Sequence, residues 1–199
     1  KIFNINYINA NFLREKKKIQ NDSYFDDYWQ NLKYVEPLKS ILKKKLKINN
    51  PKKKHLKLLK KIKAQKNSVA IHVRVYTSVR NEDKYHGNLE KDYFDKAVKQ
   101  IRKKIKKPFF FIFSNKYSEI KKKIDLKKNE FEVVKDFQDF EDLISFSNCK
   151  HQIISNSTFG WWAAWLNSNK SKIVLYPNKW FKLKKIPKNL FPRNWQKIR

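Results

Sequence analysis

The sequence is poor in cysteine, glycine and long apolar runs, and each scarcity excludes a class of protein. A single cysteine, Cys149, excludes a disulfide framework and any zinc site built from clustered cysteines, and it fits a reducing compartment. Two glycines and six prolines exclude collagen-like and linker-like chains. No apolar run reaches the roughly 18 residues that span a bilayer, and the longest are Phe109–Phe113 and Trp161–Leu166.

Methionine is absent altogether, and the chain opens at Lys1. Because translation starts at Met, we expect this chain to be a piece of a longer protein. Its 199 residues are enough for one domain of about 100–150 residues and some additional chain. Hydrophobic residues make up 40% and aromatic residues 15%, which is too much apolar mass for a disordered basic tail. We therefore expect a folded core.

The charge is strongly positive, with 48 Lys+Arg against 18 Asp+Glu and a formal net charge of +30. Lysines are spread along the whole chain, and arginine, the usual residue for base edges and bidentate phosphate contacts, is scarce. We interpret most of this charge as a solvated lysine surface with weak, salt-sensitive attraction to anionic lipid or nucleic acid. A nucleic-acid-binding module is the less favoured alternative, because the tryptophans cluster in an apolar run instead of alternating with basic residues.

Short apolar runs alternate with helical patterns from residue 68 onward. Five runs are typical of buried parallel strands: Val69–Val73, Phe109–Phe113, Phe131–Val134, Gln152–Ser155 and Ile173–Tyr176, the last of which we predict to be the final strand. Each parallel neighbour needs a crossover connection, and the helical stripes between the runs supply it. The alternation therefore predicts an α/β fold with a Rossmann-like parallel sheet.

The residues before this alternation are irregular and locally helical. Val35–Leu46 and His55–Ile62 each have helical spacing, and Asn49–Pro51 separates them. The predicted organisation is an N-terminal region with linker helices over 1–66, a Rossmann-like ligand-binding domain over 67–182, and a C-terminal tail over 183–199.

Ligands of such sheets bind beyond the carboxyl ends of the strands. In His72-Val73-Arg74, strand alternation puts His72 and Arg74 on one side, where a pyrophosphate would offset the cost of burying the basic pair. An arginine paired with a nearby aspartate, beside a histidine satisfied in the core, explains this pair alone equally well.

Hydroxyl and amide side chains follow a second strand, from Ser155 to Thr158, and precede an apolar helix. Ser157 or Thr158 can cap that helix, and its exposed amides could hold a phosphate. Plain N-capping is the alternative, although it needs only one such residue. After the Phe-rich strand, Ser114 and Asn115 are by themselves ordinary turn residues.

The run Ser155–Asn167 resembles the most diagnostic motif of the galactoside α-1,2-fucosyltransferases, glycosyltransferase family 11. Other family motifs have similar counterparts, and the resemblance extends from about Tyr24 to Trp180. These counterparts are Tyr28–Gln30, Val69–Arg74, Phe111–Ser114, Asp142-Leu143 with Asn148–His151, and Pro177 with Trp180. The resemblance implies the donor-binding half of a GT-B-type fold. It also implies transfer of L-fucose from GDP-β-L-fucose to the 2-hydroxyl of a galactoside, with inversion and without a required metal.

The chain departs from the family's pattern at three places. After HxR the family has Arg, Gly, Asp and Tyr, whereas this chain has Val75–Ser78, so the second arginine and the acid are missing. The acidic pair after FxFS is Asn115-Lys116 here, and we expect a carboxylate near the nucleotide base to be lost. The family's glycine-rich N-terminal segment is absent, which favours truncation and makes residues 1–66 a remnant of the acceptor side.

The resemblance assigns roles to the residues at the strand ends. Arg74 and His72 are the predicted catalytic residues: Arg74 meets the diphosphate, and His72 orients it or touches the nucleotide. The predicted GDP-fucose-binding residues are Ser114, Asn156, Ser157, Thr158 and Phe159. The candidates for the general base are Glu82, Asp83 and His86, and Arg80, Glu82 or Asp83 could replace the missing charges. We expect no metal and no cofactor, since GDP-fucose is a substrate.

The implied partners are GDP-fucose and a galactose-terminated glycan acceptor. We expect no specific nucleic acid, and peripheral association with an anionic membrane. Cysteine usage and the missing signal segment predict a cytoplasmic protein at the inner leaflet, where lipid-linked glycans are built. A catalytically inactive remnant of the same fold is the alternative to an enzyme.

Overall fold

The computed structural model describes residues 6–9, 23–26, 28–78 and 82–199. The strands are β1 (Asn6–Asn9), β2 (Ser23–Asp26), β3 (Ser68–Val73), β4 (Phe109–Ser114), β5 (Phe131–Val133), β6 (His151–Ile153), β7 (Val174–Pro177) and β8 (Gln196–Ile198). The α-helices are α1 (Leu32–Val35), α2 (Lys39–Lys45), α3 (Lys53–Ala64), α4 (Glu82–Tyr85), α5 (Lys91–Lys104), α6 (Ile120–Lys123), α7 (Asp139–Asn148) and α8 (Thr158–Leu166). Short 3₁₀ turns cover Glu36–Leu38 and Tyr117–Glu119.

β3 to β8 form one six-stranded sheet in the order β5-β4-β3-β6-β7-β8, and every neighbouring pair is parallel. Counted from β3 as the first strand, this is the order 3-2-1-4-5-6 of dinucleotide-binding Rossmann sheets. The prediction of an α/β fold with a Rossmann-like parallel sheet is confirmed. β1 and β2 form a separate two-stranded parallel pair.

The prediction that Ile173–Tyr176 holds the final strand is wrong. β8 follows β7 in the sheet, and its Gln196 pairs with Leu175. Residues 183–199, predicted as a tail, thus supply an edge strand together with the buried side chains of Leu190 and Trp195. Three residues form too short a strand to show a hydrophobic period in the sequence, so only the pairing with β7 reveals it.

The single helix predicted over Val35–Leu46 is also wrong. The structure divides it into α1, a 3₁₀ turn over Glu36–Leu38, and α2. Pro37 lies at the start of that turn, and a proline cannot donate the backbone hydrogen bond that a continuous α-helix needs there. The basic helix predicted over His55–Ile62 is present as α3.

Helices cover both faces of the sheet, which explains why β3 is buried along its whole length. On one face, α5 packs against alternate strand residues such as Val69, Ile71 and Ile112. On the other face, α3, α7 and α8 pack against Ala70, Phe111 and further residues of the same strands. His72 follows Ala70 by two positions and therefore points to the α8 face.

α8 joins distant parts of the chain through its tryptophans. The Trp161 indole N–H donates to the Leu190 carbonyl at 2.6 Å, and the Trp165 indole N–H donates to Glu36 at 2.7 Å. Trp161 and Trp165 are fully buried and stack at 6.1 Å. Because each of these indole N–H groups has an acceptor, burial of this apolar helix leaves neither of them without a hydrogen bond.

Candidate active site

The sheet order reverses between β3 and β6, and ligands of open α/β sheets bind where the carboxyl ends of such strands diverge. Ser155 ties the two strand ends together here. Its Oγ donates to the His72 carbonyl at 2.6 Å and accepts the Arg74 backbone N–H at 3.2 Å. The residues predicted from the two strand ends therefore meet at the reversal point.

His72 and Arg74 line one cavity of about 180 Å³ at this edge, as strand alternation predicts. The other lining residues are Phe113, Ser114, Asn115, Asp139, Asp142 and Phe159. Two predicted donor-binding residues, Ser114 and Phe159, are thus placed with the predicted catalytic pair. Small-molecule sites usually measure roughly 300–1,000 Å³, so this cavity has room for only part of a nucleotide sugar.

The imidazole of His72 is buried between aromatic rings. Its ring centroid lies 5.0 Å from that of Phe159 and 6.2 Å from that of Phe146. Burial, and then the charge of Arg74, lower the pKa of His72 to about 3, so the ring is neutral near pH 7. Its Nδ1 has no hydrogen-bond partner among the described residues. Of the predicted catalytic pair, Arg74 therefore carries the positive charge.

Two asparagine side chains hold the segment that carries Arg74. The Val75 N–H donates to Asn115 Oδ1 at 2.9 Å, and Asn115 Nδ2 donates to the Val75 carbonyl at 2.9 Å. Asn88 pairs in the same way with Tyr76, at 2.7 Å and 3.0 Å. Asn115 stands where the family pattern has an acid, and a carboxylate could not donate to the Val75 carbonyl. Its amide therefore has a structural use that the sequence did not reveal.

The Arg74 guanidinium lies over an aromatic stack. Its central carbon is 5.1 Å from the Tyr76 ring centroid, and the Tyr76 ring stacks on His86 at 5.0 Å and 14°. The Tyr76 hydroxyl donates to the Asn156 carbonyl at 2.7 Å. The cation–π contact and this anchored ring favour one direction for the guanidinium. Tyr76 occupies the position of a glycine in the family pattern.

Asp83 and His86, two of the candidates for the general base, lie around α4 and are not among the residues that line the His72 and Arg74 cavity. His86 is half-buried in the aromatic stack, with its Nδ1 3.4 Å from the Trp180 carbonyl. Asp83 is half-buried, and its Oδ1 has no hydrogen-bond partner among the described residues. Glu82 begins α4, but its side chain and Arg80 lie outside the described part of the chain.

The start of α8 has no side-chain cap. Ser157 is the N-cap residue, but its hydroxyl makes no capping hydrogen bond. The Thr158 hydroxyl donates instead to Gln30 Oε1 at 3.2 Å, and Gln30 Nε2 is buried with no partner among the described residues. No side chain in the described part of the chain thus compensates the positive end of the α8 dipole. Ser157 and Thr158 do not line the cavity of Arg74.

Asn156, also predicted to bind the donor, is buried and holds neighbouring loops together. Its Nδ2 donates to the carbonyls of His86 at 2.7 Å, Gly87 at 3.1 Å and Trp180 at 3.4 Å. Its Oδ1 is buried without a hydrogen-bond partner among the described residues. Only that oxygen is left for a ligand, and Asn156 does not line the cavity of Arg74.

Two carboxylates that the sequence analysis did not assign to the site line the cavity. Asp139 and Asp142 come from the first turn of α7, beside Ser114 and Asn115. Burial, and then the charges of Asp139 and Glu141, raise the pKa of Asp142 to about 7. The expected loss of a carboxylate near the nucleotide base was inferred from the loop after β4 alone, and the start of α7 was not taken into account. The motif match at Asp142 was visible in the sequence, but its distance from Asn115 was not.

Within the described ranges, no group of three or more His, Cys, Asp and Glu side chains could hold a metal ion. None of the described helices is both long and apolar enough to cross a membrane.

Residues 6–199 match the sequence model of Glycosyl transferase family 11. The chain belongs to this family. It is 33% identical over 119 residues to the O-antigen biosynthesis glycosyltransferase WbnK of Escherichia coli, an alignment that covers 58% of this chain and 39% of WbnK. It is 29% identical over 184 residues to an alpha-1,2-colitosyltransferase of Escherichia coli, covering 87% of this chain and 62% of that protein.

The aligned segments therefore span less than two thirds of both relatives. The predicted family is confirmed by the match over residues 6–199. The roles of the individual site residues stay predictions.

Proposed function

We propose that this chain is the donor-binding half of an inverting glycosyltransferase that moves L-fucose from GDP-fucose to the 2-hydroxyl of a galactoside. The observation that carries the proposal is the position of Arg74. It lies at the reversal point of a Rossmann-like sheet, in a cavity with His72 and with Phe159 of α8, in a chain of glycosyl transferase family 11. Nucleotide phosphates bind at this point of such sheets.

The chemistry requires positive charge and hydrogen-bond donors at the diphosphate. As the bond from sugar C1 to the β-phosphate oxygen breaks, C1 gains oxocarbenium character and negative charge grows on GDP. Arg74 supplies a charged fork for that oxygen. The backbone amides of Thr158 and Phe159 supply the positive end of the α8 dipole, whereas the Ser157 N–H already donates to the Ser155 carbonyl at 2.8 Å. Such preorganised donors stabilise the transition state because they need no rearrangement as the charge develops.

The two carboxylates of α7 fit the nucleobase. Guanine presents N–H donors at N1 and N2, and an ionised carboxylate accepts both. Asp142 lies beside Ser114 and Asn115 in the cavity and has a buried Oδ1 without a hydrogen-bond partner among the described residues. A guanine would meet that need with two adjacent donors, whereas adenine, which lacks the N1 donor, offers only its amino group.

The acceptor side offers three candidates for the base that deprotonates the attacking hydroxyl: Glu82, Asp83 and His86. His86 connects to Arg74 through the ring of Tyr76, which makes it the candidate with a described structural link to the cavity. In this scheme the acceptor approaches Arg74 from the side of α4.

Transfer of colitose is a second candidate, favoured by the alpha-1,2-colitosyltransferase that aligns with 87% of this chain. Colitose is fucose without the 3-hydroxyl, so the same diphosphate and base contacts serve both donors. Side-by-side assays with GDP-fucose and GDP-colitose, using a galactoside acceptor, distinguish them.

The proposed partners are a GDP-sugar and a galactose-terminated glycan, and the net charge of +30 favours peripheral association with the cytoplasmic face of an anionic membrane. Neither a metal nor a nucleic acid is required in this scheme. An inactive remnant of the same fold is the competing interpretation.

Isothermal titration of GDP, with ADP as the comparison, tests the proposal. We expect saturable binding of GDP, weaker binding of ADP, and loss of GDP binding in Arg74→Ala with an unchanged circular dichroism spectrum. Equal GDP binding by wild type and Arg74→Ala would refute the assigned site. GDP binding without transfer from either donor would support the inactive remnant.

A further inference from the structure

The lysines of this chain are unevenly balanced by acids. Between Glu36 and Glu82 the sequence has thirteen lysines and no Asp or Glu. α2 and α3 lie in this stretch. Ion pairs join three of these lysines to acids elsewhere: Lys39 to Glu36, Lys54 to Asp136 and Lys61 to Glu132. Most of the positive charge on α2 and α3 therefore has no acidic partner among the described residues.

The outer surface of α2 combines this charge with exposed aliphatic side chains. Leu38, Ile41 and Leu46 are 47%, 56% and 41% exposed. Lys44, Lys45 and Lys47 are exposed beside them and make no ion pair with a described residue. We call these six residues the α2 face. Burial lowers the pKa of nearby Lys43, and the charge of Lys39 lowers it further.

α5, on the opposite face of the sheet, shows that this combination is not a general property of the protein. It also has many lysines, but its Asp92 and Asp95 pair with Lys96 and Lys91. Its large apolar residues, Tyr93, Phe94, Val98 and Ile101, are all buried in the core. The exposed surface of α5 is therefore polar and carries charges of both signs. The α2 face instead combines exposed aliphatic side chains with lysines and has no acid.

A groove of about 350 Å³ continues the α2 face toward α3. Leu46, Ile48, Pro51 and Leu59 supply its apolar lining, and Lys43 and Lys47 its basic lining. The apolar surface thus extends beyond α2 itself, with lysines beside it.

We propose that the α2 face binds the surface of an anionic phospholipid bilayer, with Leu38, Ile41 and Leu46 inserted at the headgroup boundary and the neighbouring lysines on the lipid phosphates. Aliphatic insertion with flanking lysines is how amphipathic helices lie on membranes. A single-stranded nucleic acid also attracts lysine, but its bases stack on exposed aromatic rings, which the α2 face lacks. A duplex binds through its phosphates alone and has no use for the exposed aliphatic side chains. The inference rests on the membrane association proposed above and gives it a location in the fold, and it does not depend on the identity of the donor or acceptor.

Co-sedimentation of the 199-residue chain with vesicles tests the proposal, comparing phosphatidylcholine alone with phosphatidylcholine containing phosphatidylglycerol. We expect binding to the anionic vesicles only. The double variant Leu38→Gln/Ile41→Gln keeps the net charge and should weaken binding by about tenfold or more, because it removes the inserted aliphatic groups. Both side chains are about half exposed, so the substitutions leave the core intact.

Two matched pairs of lysine substitutions distinguish a local binding site on the α2 face from general electrostatic attraction to the vesicle. Lys44→Gln/Lys45→Gln should weaken binding by about fivefold for each lysine. Lys99→Gln/Lys103→Gln removes the same charge from exposed positions on α5 and should change binding by less than about twofold. The proposal is overturned by equal losses from the two lysine pairs, by unchanged binding of Leu38→Gln/Ile41→Gln, or by absence of binding to anionic vesicles.

Discussion

Asn115 pairs with both backbone polar groups of Val75, accepting its N–H at 2.9 Å and donating to its carbonyl at 2.9 Å. This side chain comes from the end of β4, and it fixes the backbone one residue after Arg74 on the neighbouring strand. The direction of Arg74 thus depends on a residue that does not itself need to touch the ligand.

Asn115→Asp should weaken GDP binding and reduce stability. The carboxylate can still accept the Val75 N–H but cannot donate to its carbonyl, and an unsatisfied carbonyl of this kind costs about 1–2 kcal/mol. We expect about a tenfold loss of GDP affinity by titration calorimetry and a lower midpoint in urea. Asn148→Asp, at an exposed site, is the matched control. Unchanged affinity in Asn115→Asp would show that the pairing with Val75 does not position Arg74.

Arg74→Lys should reduce donor turnover by about 10²–10³-fold while the protein stays folded, because an ammonium cannot replace a planar fork on a diphosphate. Initial rates with GDP-fucose and GDP-colitose measure the effect. Arg102→Lys changes an exposed arginine that pairs with Glu130 and should leave the rate unchanged. Activity of Arg74→Lys within about twofold of wild type would remove Arg74 from the proposed mechanism.

Gly160→Ala should destabilise the protein although alanine favours a helix. A Cβ at Gly160 would lie 2.9 Å from His72 Nδ1 and 3.2 Å from the Ile154 Cβ, in a packed region. Overpacking of this kind costs about 1–3 kcal/mol, more than the gain in helix propensity of about 1 kcal/mol. Urea unfolding measures the change. In a His72→Ala background the cost should shrink, and equal costs in both backgrounds would contradict the predicted contact.

Asp142→Asn should stabilise the protein at high pH. The folded-state pKa of about 7 lies above the ordinary value of 3.8, so the folded state holds a proton that the unfolded state has lost, and this contribution to stability falls as pH rises from about 4 to 7. Above pH 7 the wild type must bury a charge that asparagine does not have.

Because Asp142 is partly exposed, we expect the gain in unfolding free energy to be only about 1–2 kcal/mol larger at pH 8 than at pH 5. Urea titrations at the two pH values measure it. Asp92→Asn, at a surface pair with Lys96, should change stability by less than about 0.5 kcal/mol at either pH. A gain for Asp142→Asn that is the same at both pH values would contradict the assigned burial cost.

The strand runs, the alternation with helices and the family motif were readable from the sequence because each depends on neighbours within one segment. β3 and β6 are examples. Local hydrophobicity identified both strands, and the order of apolar and polar residues placed His72, Arg74 and Ser155 at or just beyond their carboxyl ends. Local information also explains the two errors in the fold. β8 is a three-residue strand stabilised by β7, and the break at Pro37 left the helical spacing of its neighbours unchanged.

The sequence by itself determined that this chain builds a parallel α/β sheet with a basic residue and a polar helix start at its carboxyl edge, since period and composition act over a few residues. Only the tertiary structure decided which side chains meet there. It places Asp142 of α7 and Arg74 in the same cavity, and it pairs the Asn115 amide with the Val75 backbone. It also directs the Thr158 hydroxyl to Gln30. These contacts join residues far apart in the chain, and their geometry is fixed by the packing of helices on the sheet, which no local pattern records.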